Sequence, residues 1–105
     1  MSTVTVSNLK EKVSSAKLFV ASKTYCPYCS KAKNTLASYG ITKSTPGVII
    51  LELDEISEGA AIQKELFEIS GQKTVPNIYI GGKHIGGNSD LQDLQSQDKL
   101  EELLK

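Results

Sequence analysis

The chain has few residues of several types, and each shortage excludes a class of protein. Its 105 residues include two cysteines, one histidine and no tryptophan. Two cysteines are too few for the disulfide framework of a small secreted domain. Acidic and basic residues balance at 12 each, so the chain lacks the surplus of positive charge that favours binding to nucleic acid or to a membrane surface.

Long apolar runs are also missing. No segment approaches the roughly 18 consecutive apolar residues of a membrane span. The first eight residues show no basic region leading into an apolar run, as a signal peptide has. We therefore expect a soluble, unexported protein of the reducing cytoplasm, with no membrane or nucleic-acid partner. A length of 105 residues suits a single domain spanning 1–105, which can bury a core without covalent staples.

What the chain does contain is a pair of cysteines at a strand-to-helix junction. Cys26 and Cys29 frame the sequence Cys-Pro-Tyr-Cys, which follows an apolar strand over residues 17–21. Behind them, apolar residues recur at helical spacing at Ala32, Leu36 and Tyr39. Two residues between the cysteines nearly complete one helical turn, which brings the sulfurs within bonding reach. This spacing predicts a reversible disulfide.

The two cysteines occupy unequal positions on the predicted helix. Cys26 falls at its N-terminus, where unpaired backbone N–H groups, the helix dipole and the nearby Lys23 all favour a thiolate. Cys29 shares the apolar side of the helix with Ala32 and Leu36, where burial favours the neutral thiol. Pro27 suits the first helical position, which needs no N–H. We therefore assign Cys26 as the nucleophile and Cys29 as the resolving thiol.

The first half of the chain alternates between helical and strand patterns. Val6, Leu9 and Val13 predict a short amphipathic helix ahead of the first strand. The cysteine-bearing helix should run to Tyr39 and end at Gly40. The apolar run 48–51 predicts a strand covered on both faces. The order strand, helix, strand implies that this strand lies parallel to the first.

The second half predicts a helix, a hairpin and two more helices. A third helix should begin near residues 57–59 and end at Gly71. Predicted strands at residues 75–80 and 83–85 flank a Gly-Gly pair, which is typical of an antiparallel hairpin. A fourth helix should follow, with Asn88 or Ser89 as its cap, and residues 100–104 should add a last short helix. The pattern as a whole is that of an α/β protein.

Three motifs, in this order, resemble the glutaredoxins, a branch of the thioredoxin fold. The Cys26–Cys29 tetrapeptide resembles the active site of the dithiol members. Thr74-Val75-Pro76 resembles their TVP segment, and the stretch 86–90, Gly-Gly-Asn-Ser-Asp, resembles their GG-x-x-D segment. The similarity spans nearly the whole chain and is greatest to the small cytosolic dithiol proteins of fungi. It implies a four-stranded mixed sheet with helices on both faces.

The resemblance also implies an activity. Members of this family are glutathione-disulfide oxidoreductases that reduce protein–glutathione mixed disulfides through the first cysteine and protein disulfides through both. They need no bound redox cofactor, because glutathione is the reducing cosubstrate and glutathione reductase recycles its oxidised form. The partners implied are therefore glutathione, glutathionylated proteins and disulfide-containing proteins, and the expected state is a monomer.

Family positions also suggest which residues meet the charged ends of glutathione. This peptide carries two carboxylates and one ammonium, so its site needs donors at two ends and one acid. The resemblance places Lys23 and Gln63 at the glycine carboxylate. It places the N–H groups that open the fourth helix, at Ser89 and Asp90, at the γ-glutamyl carboxylate, with the Asp90 side chain at the ammonium.

The middle of the peptide would meet the TVP segment. The resemblance implies a cis bond between Val75 and Pro76. It also implies that the Val75 backbone pairs with the glutathione cysteine as an added strand does. Tyr28 would form a wall of the site, and Thr74 would contribute through its backbone more than through its hydroxyl.

Other interpretations of the same residues remain open. Some glutaredoxins carry a [2Fe–2S] cluster on the first cysteines of two subunits and two glutathiones, although Pro27 counts against this here. A zinc site would need two ligands beyond the cysteines, and only His84 is available. Thioredoxin itself has a tryptophan before its first cysteine, which this chain lacks. We assign His84 no functional role and expect a structural or surface residue.

Overall fold

A computed structural model describes residues 4–105 of the chain. It contains four β-strands and five α-helices in these residues, with one short 3-10 turn at Leu53–Glu55. The elements in chain order are α1 Leu9–Ser15, β1 Leu18–Ser22, α2 Pro27–Ala37, β2 Val48–Glu52, α3 Gly59–Ser70, β3 Asn77–Ile80, β4 Lys83–Gly86, α4 Asn88–Ser96 and α5 Leu100–Leu104.

The four strands form one mixed sheet in the order β2-β1-β3-β4. β1 pairs in parallel with β2 and antiparallel with β3, and β3 pairs antiparallel with β4. The predicted parallel pair and the predicted hairpin are both confirmed. Gly81 and Gly82 connect the hairpin with φ values of +59° and +83°, the left-handed conformations that a tight two-residue turn of this kind requires.

Side chains alternate across the sheet and build a separate core on each face. Val20 and Ile78 face one core, which α2, α4 and α5 complete through Ala32, Leu36, Leu91, Leu100 and Leu104. Phe19 and Tyr79 face the other, which α1 and α3 complete through Leu9, Val13, Ile62 and Leu66. The prediction of helices on both faces of a mixed sheet is therefore confirmed. β1 lies inside the sheet, and all five of its residues are buried.

β2 is an edge strand. Ile50 packs against one core and Ile49 against the other, so the strand has apolar neighbours on both faces, as predicted. Both side chains are only partly buried, because no further strand lies beyond this edge.

Two helix limits differ from the sequence prediction. α2 ends at Ala37 and not at Tyr39, because the chain tightens into turns in which the Tyr39 N–H donates to Leu36 and the Gly40 N–H donates to Ala37. Gly40 then takes a φ of +78°, as expected of the residue that closes a helix. Val6 lies in the turn before α1, although its side chain packs against the second core.

The second half also differs at two junctions. β3 begins at Asn77 and not at Val75, because Pro76 has no N–H to offer to a neighbouring strand. The predicted cap of α4 is wrong by one residue: the helix already begins at Asn88, and Gly87 is its N-cap. α3 ends as predicted, with Gly71 at a φ of +77°.

Candidate active site

Cys26 is the N-cap of α2, and its sulfur accepts a hydrogen bond from the first turn of the helix. Its Sγ accepts a hydrogen bond from the Cys29 N–H at 3.2 Å. Pro27 occupies the first helical position, where its fixed φ fits the helix and no N–H is lost. The Cys26 residue is partly exposed. This sulfur thus combines access from solvent with an N–H donor that stabilises negative charge.

Cys29 lies one turn further on and is fully buried. Burial, followed by its hydrogen bond with the Cys26 sulfur, raises the pKa of the Cys29 thiol from 9.0 to about 11. The backbone of Lys23 and the hydroxyl of Ser22 oppose this rise without cancelling it. The predicted contrast in exposure between the two cysteines is confirmed, and the raised pKa agrees with a neutral Cys29 thiol. Both cysteines are free thiols in this structure.

An open cleft of about 450 Å³ lies beside these cysteines. It brings together five of the residues named from the sequence, with two neighbours: its lining consists of Tyr28, Thr74, Val75, Pro76, Gly87, Asn88 and Ser89. The Val75–Pro76 bond is cis, as the family resemblance implied. The Val75 carbonyl lies 3.8 Å from the Cys26 Sγ, so the cleft borders the nucleophile directly. Tyr28 is 66% exposed and forms an outer wall.

Lys23 and Gln63 lie outside the lining of this cleft. Lys23 is in the loop between β1 and α2, partly buried, with its Nζ 5.9 Å from the centre of the Tyr25 ring. It takes part in neither of the two ion pairs found within residues 4–105. The Gln63 amide donates to the Lys73 carbonyl at 2.9 Å. One Gln63 N–H is therefore held by the backbone of the loop that leads to Thr74.

Asp90 has a local role that the sequence did not reveal. Its Oδ2 accepts the N–H of Gly87, the N-cap of α4, at 2.9 Å. The carboxylate approaches Gly86 so closely that a Cβ there would lie 2.2 Å from Oδ2, and Gly86 has a φ of +123°. Asp90 also lines a different cavity, together with His84, Ile85, Asp93 and Leu94. Ser89, by contrast, lies in the cleft wall at the N-terminus of the helix.

Two polar residues near the site had been missed. The Asp54 carboxylate accepts the Thr24 N–H at 3.0 Å and also the Thr24 hydroxyl, which lowers the pKa of Asp54. Gln72 donates to two carbonyls of the TVP segment. Both residues contact partners that are distant in sequence or depend on a bent backbone, so periodicity carries no sign of them. The only sequence signal was their closeness to recognised elements.

Residues 4–105 contain neither a cluster of metal ligands nor a membrane-spanning helix. In the part of the chain that the structure describes, no three His, Cys, Asp or Glu side chains converge as metal ligands would. No helix within residues 4–105 has the length and apolar character needed to cross a bilayer.

A parallel β1–β2 pair joined by α2, an antiparallel hairpin, a cis proline and a Cys-x-x-Cys at the start of α2 define a thioredoxin-fold protein with a thiol redox site. The family model for glutaredoxin matches residues 18–85. The chain belongs to the glutaredoxin family.

Individual relatives cover nearly all of the chain. It is 53% identical to Glutaredoxin-1 of Saccharomyces cerevisiae over 102 residues, which cover 96% of this chain and 91% of the relative. It is 46% identical to Glutaredoxin-C1 of Arabidopsis thaliana, covering 96% of this chain and 77% of the relative. A solved buckwheat glutaredoxin–glutathione complex superposes with a TM-score of 0.83 at 40% identity, covering 94% of this chain and 86% of the other. Family membership implies a thiol–disulfide oxidoreductase.

Proposed function

We propose that this protein reduces protein–glutathione mixed disulfides through Cys26 alone and protein disulfides through Cys26 and Cys29, with glutathione as the electron donor. The observation that carries the proposal is the position of the Cys26 Sγ. It accepts the Cys29 N–H at 3.2 Å and lies 3.8 Å from the Val75 carbonyl at the edge of the cleft. The buckwheat relative, 40% identical, was solved as a complex with glutathione.

The monothiol route needs two exchanges at one sulfur. The Cys26 thiolate attacks the glutathione sulfur of the mixed disulfide, and the protein substrate leaves as a thiolate that takes up a proton. Cys26 is then disulfide-bonded to glutathione. A second glutathione thiolate attacks the glutathione sulfur of that bond, which releases oxidised glutathione and restores the Cys26 thiolate. Glutathione reductase returns the oxidised glutathione to the reduced pool.

In the dithiol route the Cys26 thiolate attacks a protein disulfide, and one substrate sulfur leaves as a thiolate. Cys29 then attacks the Cys26 sulfur of the mixed disulfide, and the second substrate sulfur leaves as a thiolate. Cys29 must lose its proton first, and its pKa of about 11 opposes this in the free enzyme. Part of that rise comes from the hydrogen bond to Cys26 and from its charge. Both contributions disappear once the Cys26 sulfur is bonded to substrate, so Cys29 becomes easier to ionise at the step that uses it. Two glutathiones then reduce the Cys26–Cys29 disulfide.

Recognition of glutathione would use the whole length of the cleft. The Val75 backbone would pair with the cysteine of the peptide, beside Tyr28, Thr74 and Pro76. The open N–H groups at Ser89 would meet the γ-glutamyl carboxylate, since helix N-termini lack intrahelical acceptors. The resemblance places Asp90 at the ammonium, and its Oδ1 would serve there because Oδ2 accepts the Gly87 N–H.

At the other end of the peptide, Lys23 and Gln63 would meet the glycine carboxylate. Lys23 lies outside the two ion pairs formed within residues 4–105. Gln63 retains a second amide N–H beyond the one given to Lys73. We propose that the protein acts as a monomer in the cytoplasm, where the glutathione pool is reducing.

A comparison of two electron donors tests the proposal. Turnover of a small glutathione mixed disulfide should be measured with glutathione and glutathione reductase, beside insulin reduction driven by thioredoxin reductase. We expect rapid turnover in the first assay and little in the second. Turnover confined to the second assay would overturn the proposal.

A further inference from the structure

A network of polar side chains lies behind the TVP segment and involves none of the residues proposed to contact glutathione through their side chains. The Gln72 amide nitrogen donates to the Thr74 carbonyl at 3.0 Å and to the Pro76 carbonyl at 2.9 Å. The carbonyl between them, that of Val75, lies instead 3.8 Å from the Cys26 Sγ. Gln72 thus donates to the two carbonyls on either side of the Val75 carbonyl, which is the one beside the Cys26 sulfur.

The orientation of the Gln72 amide is fixed by these two acceptors. With Nε2 directed to the carbonyls, the amide Oε1 faces the Nε2 of His84 at 3.1 Å. Two oxygens meet that ring nitrogen, because the Asn77 Oδ1 also lies 3.1 Å from it.

The Asn77 amide is oriented independently of His84. The Ser70 hydroxyl gives its only proton to the Leu66 carbonyl at 2.7 Å. It can therefore only accept from the Asn77 Nδ2, which lies 3.3 Å away. Asn77 is 2% exposed, so its remaining oxygen needs a donor, and the His84 Nε2 is that donor. Every member of the network then has one consistent direction of donation: from His84 one branch runs through Gln72 to the Thr74 and Pro76 carbonyls, and the other runs through Asn77 and Ser70 to the Leu66 carbonyl.

We propose that Gln72 is a positioning residue for the Thr74–Pro76 segment and that His84, through its Nε2–H, holds Gln72 in place. This inference rests on the proposed function, because the segment matters only if its backbone binds the glutathione cysteine. Fixing the two flanking carbonyls sets the plane of the Val75 peptide groups before the ligand arrives. A strand edge that is already ordered before the ligand binds loses less conformational entropy on binding.

The test uses full-length protein and a double-mutant cycle of Gln72→Leu and His84→Phe. Leucine removes both donors at similar volume, and phenylalanine keeps a ring against Tyr79, whose ring centre lies 5.0 Å from that of His84. Gln97→Leu, at an exposed glutamine, is the matched control. The readouts are KM and kcat for a small glutathione mixed disulfide, the rate of Cys26 alkylation by iodoacetamide, and the amide NMR shifts of the non-proline residues within 73–77.

We expect Gln72→Leu to raise KM about tenfold, or about 1.4 kcal/mol in binding. The alkylation rate should not change. The shifts of residues 73–77 should move, whereas Gln97→Leu should leave all readouts as in the wild type. Adding Gln72→Leu to the His84→Phe variant should raise KM less than threefold, because the released amide no longer positions the segment.

Two results would overturn the inference. One is a KM for Gln72→Leu equal to that of Gln97→Leu with the shifts of residues 73–77 unmoved. The other is a double variant whose KM is the product of the two single effects. A wild type without glutathione-dependent turnover would overturn the proposed function instead. In that case the NMR shifts would still test whether Gln72 holds the Thr74–Pro76 segment.

Discussion

Cys26 and Cys29 are three residues apart on one helix, yet their surroundings give them different chemistry. Cys26 is partly exposed at the helix start and accepts an N–H, whereas Cys29 is fully buried among core residues. The function proposed above assigns the attack to the partly exposed sulfur and the completion of protein-disulfide reduction to the buried one. Removing each cysteine in turn should therefore have effects of different kinds.

Cys26→Ser should abolish turnover of both glutathione mixed disulfides and protein disulfides, because a serine hydroxyl is not appreciably ionised at neutral pH. Cys29→Ser should retain or increase turnover of a small glutathione mixed disulfide while losing protein-disulfide reduction. The increase is expected because Cys29 can divert the Cys26–glutathione intermediate into an internal disulfide. Steady-state rates on both substrates measure this. A folded but inactive Cys29→Ser protein would contradict the assigned roles.

The raised pKa of Cys29 predicts a loss of stability at alkaline pH. The thiol ionises at about pH 11 in the folded protein but near 9.0 once exposed, so the native state holds its proton longer. Its contribution to stability is fully present below pH 9.0 and is lost as the pH rises through 11. Urea unfolding of the reduced protein between pH 8 and 11 should show a decline that is shallower in Cys29→Ala. Parallel curves for the two proteins would exclude this contribution.

Lys23→Glu should weaken the use of glutathione, because it replaces a cation near the proposed glycine carboxylate with an anion. Charge reversal at a site of this kind should raise KM by roughly tenfold or more, in line with about 1.5–3 kcal/mol for a hydrogen bond to a charged group. Lys43→Glu, at an exposed lysine in the loop after α2, controls for net charge. Equal KM values for the two variants would make Lys23 a bystander.

Among the elements, the loop that leads to Cys26 forms hydrogen bonds with the turn that follows β2. Asp54, in the 3-10 turn that follows β2, accepts both the backbone N–H and the hydroxyl of Thr24. β1 and β2 end side by side, with Ser22 paired to Glu52, so the two following segments meet at the same edge of the sheet. The turn after one strand thereby holds the loop after the other.

Asp54→Ala should loosen this loop while leaving the sheet intact. The Thr24 amide would lose its acceptor, so its hydrogen exchange should become faster, whereas amides within β1 should keep their protection. Glu55→Ala, one residue along the same turn and also exposed, is the matched control. Unchanged exchange at Thr24 in Asp54→Ala would show that the contact does not hold the loop in solution.

In the molecule as a whole, the sheet separates two cores that share no side chain. Ile78 belongs to the core beneath α2, α4 and α5, and Ile62 belongs to the core beneath α1 and α3. Both side chains are fully buried. A packing defect in one core should therefore lower the free energy of unfolding by the same amount whether or not the other core is also changed.

Ile62→Val and Ile78→Val should each lower the free energy of unfolding by about 1 kcal/mol, the usual cost of deleting one buried methylene group. The double variant should lose the sum of the two, because distant sites with no shared partners are additive to within about 0.5 kcal/mol. Chemical denaturation of the four proteins measures the cycle. A clear departure from additivity would mean that β3 transmits strain from one face of the sheet to the other.

The sequence by itself determined the order of the elements, the parallel and antiparallel pairings and the contrast between the cysteines. These features are local: helical spacing behind Cys29, a Gly-Gly pair between two strands and a proline after Cys26 each fix a short stretch of backbone. Element limits were less well determined at residues 37–39 and 75–77, where tight turns and a proline end an apolar pattern early.

Only the tertiary structure decided which polar side chains face the site and which support it. Asp54 accepts the N–H of Thr24, 30 residues earlier in the chain. Gln72 donates to the Pro76 carbonyl, and Asp90 accepts the Gly87 N–H at the start of its own helix. Such contacts are set by where the sheet places two distant segments and by the direction of single hydrogen bonds. The placement of distant segments and the direction of a hydrogen bond do not repeat at regular intervals along the chain, so neither can be derived from the spacing of residues.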